Sequence, residues 1–228
     1  MKRRYQFMLL GGVFLSLSAC KEEEATPAPD PIIQQAANPD RGREHFDTCA
    51  TCHGEDGQGN RDMGAPSLVN MAPWSVEAQL IKFRSGLRGR HADDAWGAQM
   101  ADMAETLEDA QAITDVVAYI DSLPDEMPEQ TLTGNSATGE RYYHMICGAC
   151  HGPGGQGTEA MQAPALIGVD DWYLQRQYQN FAAKIRGYHI EDKAGRQMGM
   201  MSHSLPGEQT LNDILVFLQA PETKVVPE

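Results

Sequence analysis

The sequence predicts an all-α protein of two tandem domains related by an internal repeat of 98 residues. Three observations predict it. Residues 49–122 laid on 147–220 without a gap agree at 25 of 74 positions, far above chance. Apolar residues recur at helical spacing in both copies, with no competing strand-like alternation. The stretches 54–73 and 152–170 are rich in Gly and Pro, the composition of loops.

The N-terminus stands apart from the repeat. Lys2, Arg3 and Arg4 precede an apolar run from Phe7 to Leu17, and small residues Ser18 and Ala19 lead to Cys20. Residues 1–19 read as a secretory signal, too short for a span that stays in the membrane. The run Leu17-Ser18-Ala19-Cys20 resembles a bacterial lipobox, which implies a lipid on Cys20; the plainer alternative is an ordinary signal with a chance cysteine. Lys21 after the cysteine favours outer-membrane over inner-membrane sorting. Residues 20–37 are acidic and rich in Pro and Ala, so they read as a tether. Extended at about 3.1 Å per residue, it would hold the folded part roughly 50 Å from the lipid.

Two domains follow, 38–123 and 138–220, with a polar linker at 124–137 and a tail at 221–228. In the first, Val76, Leu80, Phe83 and Leu87 form a helical stripe, matched by Leu174, Tyr178, Phe181 and Ile185. A later helix carries Ile113, Val116, Val117 and Ile120, matched by Leu211, Ile214, Leu215 and Leu218. Pro124 and Pro221 close these helices. About three helices per domain make a thin core, and domains this small often depend on a cofactor.

The cysteines name the cofactor. Apart from Cys20, all of them lie in two identical patterns, Cys49-x-x-Cys52-His53 and Cys147-x-x-Cys150-His151. Two thiols three residues apart on a helical turn can each add across a haem vinyl group, and the adjacent His presents its imidazole to the iron. Structural zinc would want paired CxxC units about 15–20 residues apart, and a thioredoxin-like pair would want a βαβ unit. Neither context is present, so two covalently bound haem c groups are expected.

With Gly42 seven residues before Cys49, Gly54 after His53, and Ala65-Pro66-x-Leu68 beyond, the pattern resembles class I cytochrome c. The doubled form, with Phe83-Arg84-Ser-Gly-Leu-Arg88-Gly89 and Gln99-Met100-x-x-Met103, is similar to the two-domain c-four type of di-haem cytochrome. The resemblance implies that the first and last helices of each domain cross closely, near Gly42 and Tyr119 in the first. In the second, Gly139 lies eight residues before its cysteine and Phe217 replaces the Tyr.

A Met thioether is the expected sixth iron ligand. Only three Met pairs keep the repeat spacing: Met63 with Met161, Met100 with Met198, and Met103 with Met201. The resemblance favours Met100 and Met198, each seven residues before the Leu that opens the last helix, with Met103 and Met201 as second choice. His91 and His189 are the bis-histidine alternative. Arg88 and Arg186 are candidates to neutralise haem propionates, and Trp74 and Trp172 to donate an indole N–H to them or simply to pack.

The net charge of −14 becomes −17 once the three basic residues of the signal are gone. That excludes a nucleic-acid partner, which needs clustered Lys and Arg, and suits redox proteins with basic docking patches. The two halves match around their ligands, so transfer between a respiratory donor and a terminal oxidase or reductase is expected rather than catalysis. The alternatives are a di-haem enzyme, peroxidase-like or thiosulfate-oxidising, and a fixed electron-transfer subunit of a larger complex. The location expected is periplasmic, on a membrane through the lipid.

Overall fold

Apolar stripes near residues 80 and 116, and their copies 98 residues later, require partner helices to cover them. The computed structural model describes residues 36–220; the signal segment, Cys20, most of the tether and the tail lie outside the described residues. Each half supplies the cover with a first helix packed along its last. In the first half these are α1 (Pro39–His53) and α4 (Ala110–Asp121), with α2 (Pro73–Arg84) and α3 (Ala95–Glu105) between. In the second, α5 (Ser136–Tyr142) runs through a π-turn into the short α6 (Gly148–His151). Then follow α7 (Asp171–Ala182), α8 (Lys193–Met201) and α9 (Glu208–Gln219). Among the described residues the only strand-type pairings are the single bridges Asn60–Ala65 and Thr158–Ala163.

Phe46, Ile113, Val116 and Ile120 are buried in the first core, and Tyr143, Leu211, Ile214 and Leu218 in the second. The α2 stripe is one turn shorter than its sequence suggests. Helix α2 stops at Arg84 and Gly86 takes φ +74°, so Leu87 lies in the turn. Helix α7 likewise stops at Ala182, Lys184 takes φ +58°, and Ile185 falls outside. A fourth helix in each half, α3 and α8, carries the methionines, and buried Asp94 and Asp192 cap it by accepting from Gly97 N and Gly195 N at 2.9 Å.

The expected helix crossing is present in both halves. A Cβ on Gly42 would lie 2.0 Å from the Asp115 carbonyl oxygen, and one on Gly139 would lie 1.9 Å from that of Asp213. Only Gly permits backbones this close. Phe46 and Tyr143 each follow their glycine by four residues and meet the last helix, at 5.2 Å from Tyr119 and 5.6 Å from Phe217. The extra residue of the second half therefore lies after Tyr143, where Tyr143–Cys147 winds as a π-helix. The insertion is absorbed in one wide turn, and the crossing is unchanged.

A buried carboxylate ties each crossing. Asp115 accepts from Asn38 N at 2.8 Å and from Arg41 Nε at 2.7 Å, and Asp213 accepts from Asn135 N at 2.7 Å. Burial pushes the Asp115 carboxyl upward, but hydrogen bonds from Arg41, Gln111 and Asn38 outweigh it and hold the group below its ordinary value. Stability from such a group is present above the ordinary carboxylate range and is lost as pH falls through the lowered value.

Gly139→Ala is expected to cost about 1–3 kcal/mol or more by forcing the helices apart, read as a lower urea midpoint. Asp115→Asn should start less stable at neutral pH and lose less on acidification than the parent, measured by urea midpoints across the acid range.

Candidate haem-binding sites

Helix α1 ends on its motif, so Cys49, Cys52 and His53 occupy its final turn. The chain leaves through Gly54 at φ +82° and folds back, with Gly59 N donating to His53 O at 2.7 Å and Leu68 N to Gly57 O at 2.8 Å. That return brings the Pro66 carbonyl to 2.7 Å from His53 Nδ1. The second half repeats it: Gly157 N reaches His151 O at 2.8 Å, and the Pro164 carbonyl lies 2.8 Å from His151 Nδ1. A Cβ on Gly59 would sit 2.5 Å from Ser67 N, so the loop needs glycine there.

A carbonyl only accepts, so Nδ1 must carry the proton and Nε2 keeps its lone pair for a metal. Burial pushes His53 and His151 below the ordinary imidazole value, which keeps each ring neutral. Burial also lifts the first thiol of each motif, Cys49 upward and Cys147 up to about 11. Residues 49, 52 and 53, and 147, 150 and 151, are thus brought together as the sequence requires.

In the second half, one largely apolar cavity is lined by Cys147, Cys150, His151, Met198 and Met201, with Leu174, Phe181 and Leu215 among its walls. Met161 also reaches it, whereas Met200 is 71% exposed. His189 does not line it; its Nδ1 accepts from Glu191 N at 3.2 Å. In the first half, Met100 packs against Phe83, Ala101 and Ala104, and Met103 is more exposed. His91 makes an edge contact with Tyr188 of the other half.

Arg88 and Arg186 sit together where the halves meet. Arg88 donates to Gln79 at 2.8 Å, to Gln177 at 2.8 Å and to Tyr173 at 3.0 Å. Arg186 donates to Gln177 at 2.9 Å and to Gln79 at 3.0 Å. Each Gln thus serves its own Arg and the repeat-related Arg. Every acceptor is neutral, and among the described residues neither guanidinium has a carboxylate partner. Burial, then the charge of Arg88, push Arg186 below its ordinary value, and the buried Nε of Arg88 has no partner. Two adjacent buried cations call for anions. The cavity that Arg186 lines is largely apolar, and the propionates of a haem held there would supply the missing charge.

Gln79 and Gln177 escaped sequence reasoning, although their identity at the repeat spacing was a usable signal. Tyr173 and Asp170 had none, because their repeat partners are Ser75 and Ala72. The Trp172 indole serves Asp170 rather than the cavity. Lys82 pairs with the buried Asp192 across the halves at 2.8 Å.

The cytochrome c family model matches residues 39–124 and again 136–220. A thiosulfate dehydrogenase electron acceptor from Thiomonas intermedia is 30% identical over 164 residues, 68% of either chain. The cbb3-type cytochrome c oxidase subunit FixP of Bradyrhizobium diazoefficiens is 33% identical over 143 residues, 60% of this chain and 47% of that protein. Reduced cytochrome c4 from Pseudomonas stutzeri superposes with a TM-score of 0.62 at 20% identity, covering 81% of this chain and 98% of its own. The two motifs, one in each matched region, attach two covalent haem c groups.

Gln177→Ala should strip one acceptor from both buried guanidinium groups and destabilise the chain by about 1–3 kcal/mol, well beyond an exposed Gln→Ala, by urea denaturation.

Proposed function

The chain belongs to the cytochrome c family, and we propose that it works as a periplasmic, membrane-tethered di-haem electron carrier with Met100 and Met198 as the sixth iron ligands. One observation carries this reading: both halves hold a neutral His on a carbonyl and carry a Met-bearing helix that the same kind of Asp caps, and in the second half the His and Met198 line one cavity. Bound haem supplies one-electron exchange between Fe(III) and Fe(II). The protein's share is to hold Nε2 of His53 and His151 for the iron, to present a thioether opposite, and to keep water from the ring. With a His and a Met both engaged, the iron would have no free position for a substrate.

Burial supports Met100 over Met103, since a ligand must point inward and Met103 is 36% exposed. Met198 and Met201 both face the second cavity, and the repeat extends the choice of Met100 to Met198. The relatives lend support from two sides: one is named as the electron acceptor of a dehydrogenase and one as an oxidase subunit. Donor and acceptor are therefore proposed as a dehydrogenase or quinol-oxidising complex and a terminal oxidase or reductase, met through basic patches on the partner. The lipid on Cys20 and the acidic tether would keep the carrier near such complexes, on the outer membrane by the Lys21 rule.

Met100→His and Met198→His should each abolish half of the Met-to-iron charge-transfer band; survival of the band in the double variant would rule out this ligand pair. Reduced protein should bind no CO at neutral pH, and rapid binding at one haem would favour the di-haem enzyme instead. Mass spectrometry of the mature N-terminus should find diacylglycerol on Cys20.

A further inference from the structure

Pro66 O and Ser67 N are two ends of one planar peptide unit. At one end the carbonyl takes the Nδ1 proton of His53 at 2.7 Å. At the other, the N–H donates to Oδ2 of Asp170 at 2.7 Å. Asp170 belongs to the second half, and both Ser67 and Asp170 are buried. Asp170 stands at the N-cap of α7, where an Asp ordinarily accepts from its own helix. No backbone N–H of that helix reaches it; its carboxylate takes the Trp172 indole and the Ser67 N–H of the other domain. We propose that Asp170 sets the redox potential of the first haem through this relay, making the two haems unequal.

A carboxylate on the N–H polarises the amide and makes its carbonyl a stronger acceptor. The stronger acceptor draws the Nδ1 proton of His53 outward and raises the basicity of Nε2. A more basic imidazole stabilises Fe(III), so the potential falls. The second half has the same bond from His151 to Pro164, but among the described residues no carboxylate accepts from Ala165 N, and the residue that repeats Asp170 is Ala72. Ligand sets of one kind thus acquire different potentials, and an electron arriving at the first haem passes downhill to the second. Asp170 is a positioning residue here, since it touches neither haem nor ligand.

The inference rests on the proposed function in taking His53 and His151 as iron ligands, and the low-spin spectrum of the parent tests that separately. The deciding experiment is spectroelectrochemistry of the haem-loaded Asp170→Asn variant, each couple assigned to its haem by NMR of partly oxidised protein. Asn keeps an acceptor for Ser67 N and removes the charge. The first couple should rise and the second stay, changing the interhaem equilibrium constant by about tenfold, which is 59 mV for one electron. With the low-spin spectrum intact, couples that stay put, or that rise together, overturn the relay. Should the variant fail to fold, the reduced parent still decides: the His53 Nδ1 proton should resonate downfield of that of His151, and equal shifts overturn the proposal.

Discussion

The architecture hangs on the approach of the first helix of each half to its last. At Gly42 and Gly139 the backbones come close enough that a methyl group would meet a carbonyl oxygen at about 2 Å. Because α1 ends in Cys49, Cys52 and His53, fixing α1 against α4 also fixes where the attachment motif and its His stand. The carboxylates of Asp115 and Asp213 lock the crossing from the other side by holding the start of the first helix. Cofactor placement and core packing are therefore one constraint. The second half shows how strict it is: an extra residue is accommodated by a π-turn just before the motif, and the crossing does not move.

Polar groups tie the halves together. Two glutamines and two arginines exchange hydrogen bonds about a pseudo-two-fold arrangement, with Lys82–Asp192 and Arg176 to the Gly64 carbonyl on the flanks. Buried guanidinium groups without counter-charges are costly in an otherwise folded chain. A bound haem whose propionates met them would relieve that cost and couple cofactor loading to domain docking. Thin cores need this help, and the family's covalent attachment makes it permanent.

The repeat symmetry is broken where the halves meet. Tyr173 and Asp170 have small repeat partners, and both reach across to the first half. Duplicated sites with identical ligands would trade electrons without direction. A single unmatched carboxylate behind one proximal histidine is enough to give the pair a direction.

The cofactor and its attachment motifs, the helical class and the doubling were all legible in the sequence, because covalent chemistry and helical spacing are local properties of a few adjacent residues. Helices α2 and α4 announced themselves by apolar periodicity, although α2 ended one turn early once Gly86 took a left-handed conformation. Helices α3 and α8 did not, since their inward face is made of Ala, Gly and Met and is stabilised by Asp caps rather than an apolar stripe. Arg88 and Arg186 stood out in the sequence as candidates to neutralise haem propionates, but their sharing of Gln79 and Gln177 depends on two surfaces meeting, which no local pattern encodes. The same holds for Asp170. Residue order determined what each domain binds; only the packing of one domain on the other decided that the two haem environments differ, because a hydrogen bond between residues 67 and 170 exists only once the chain has folded back on its own repeat.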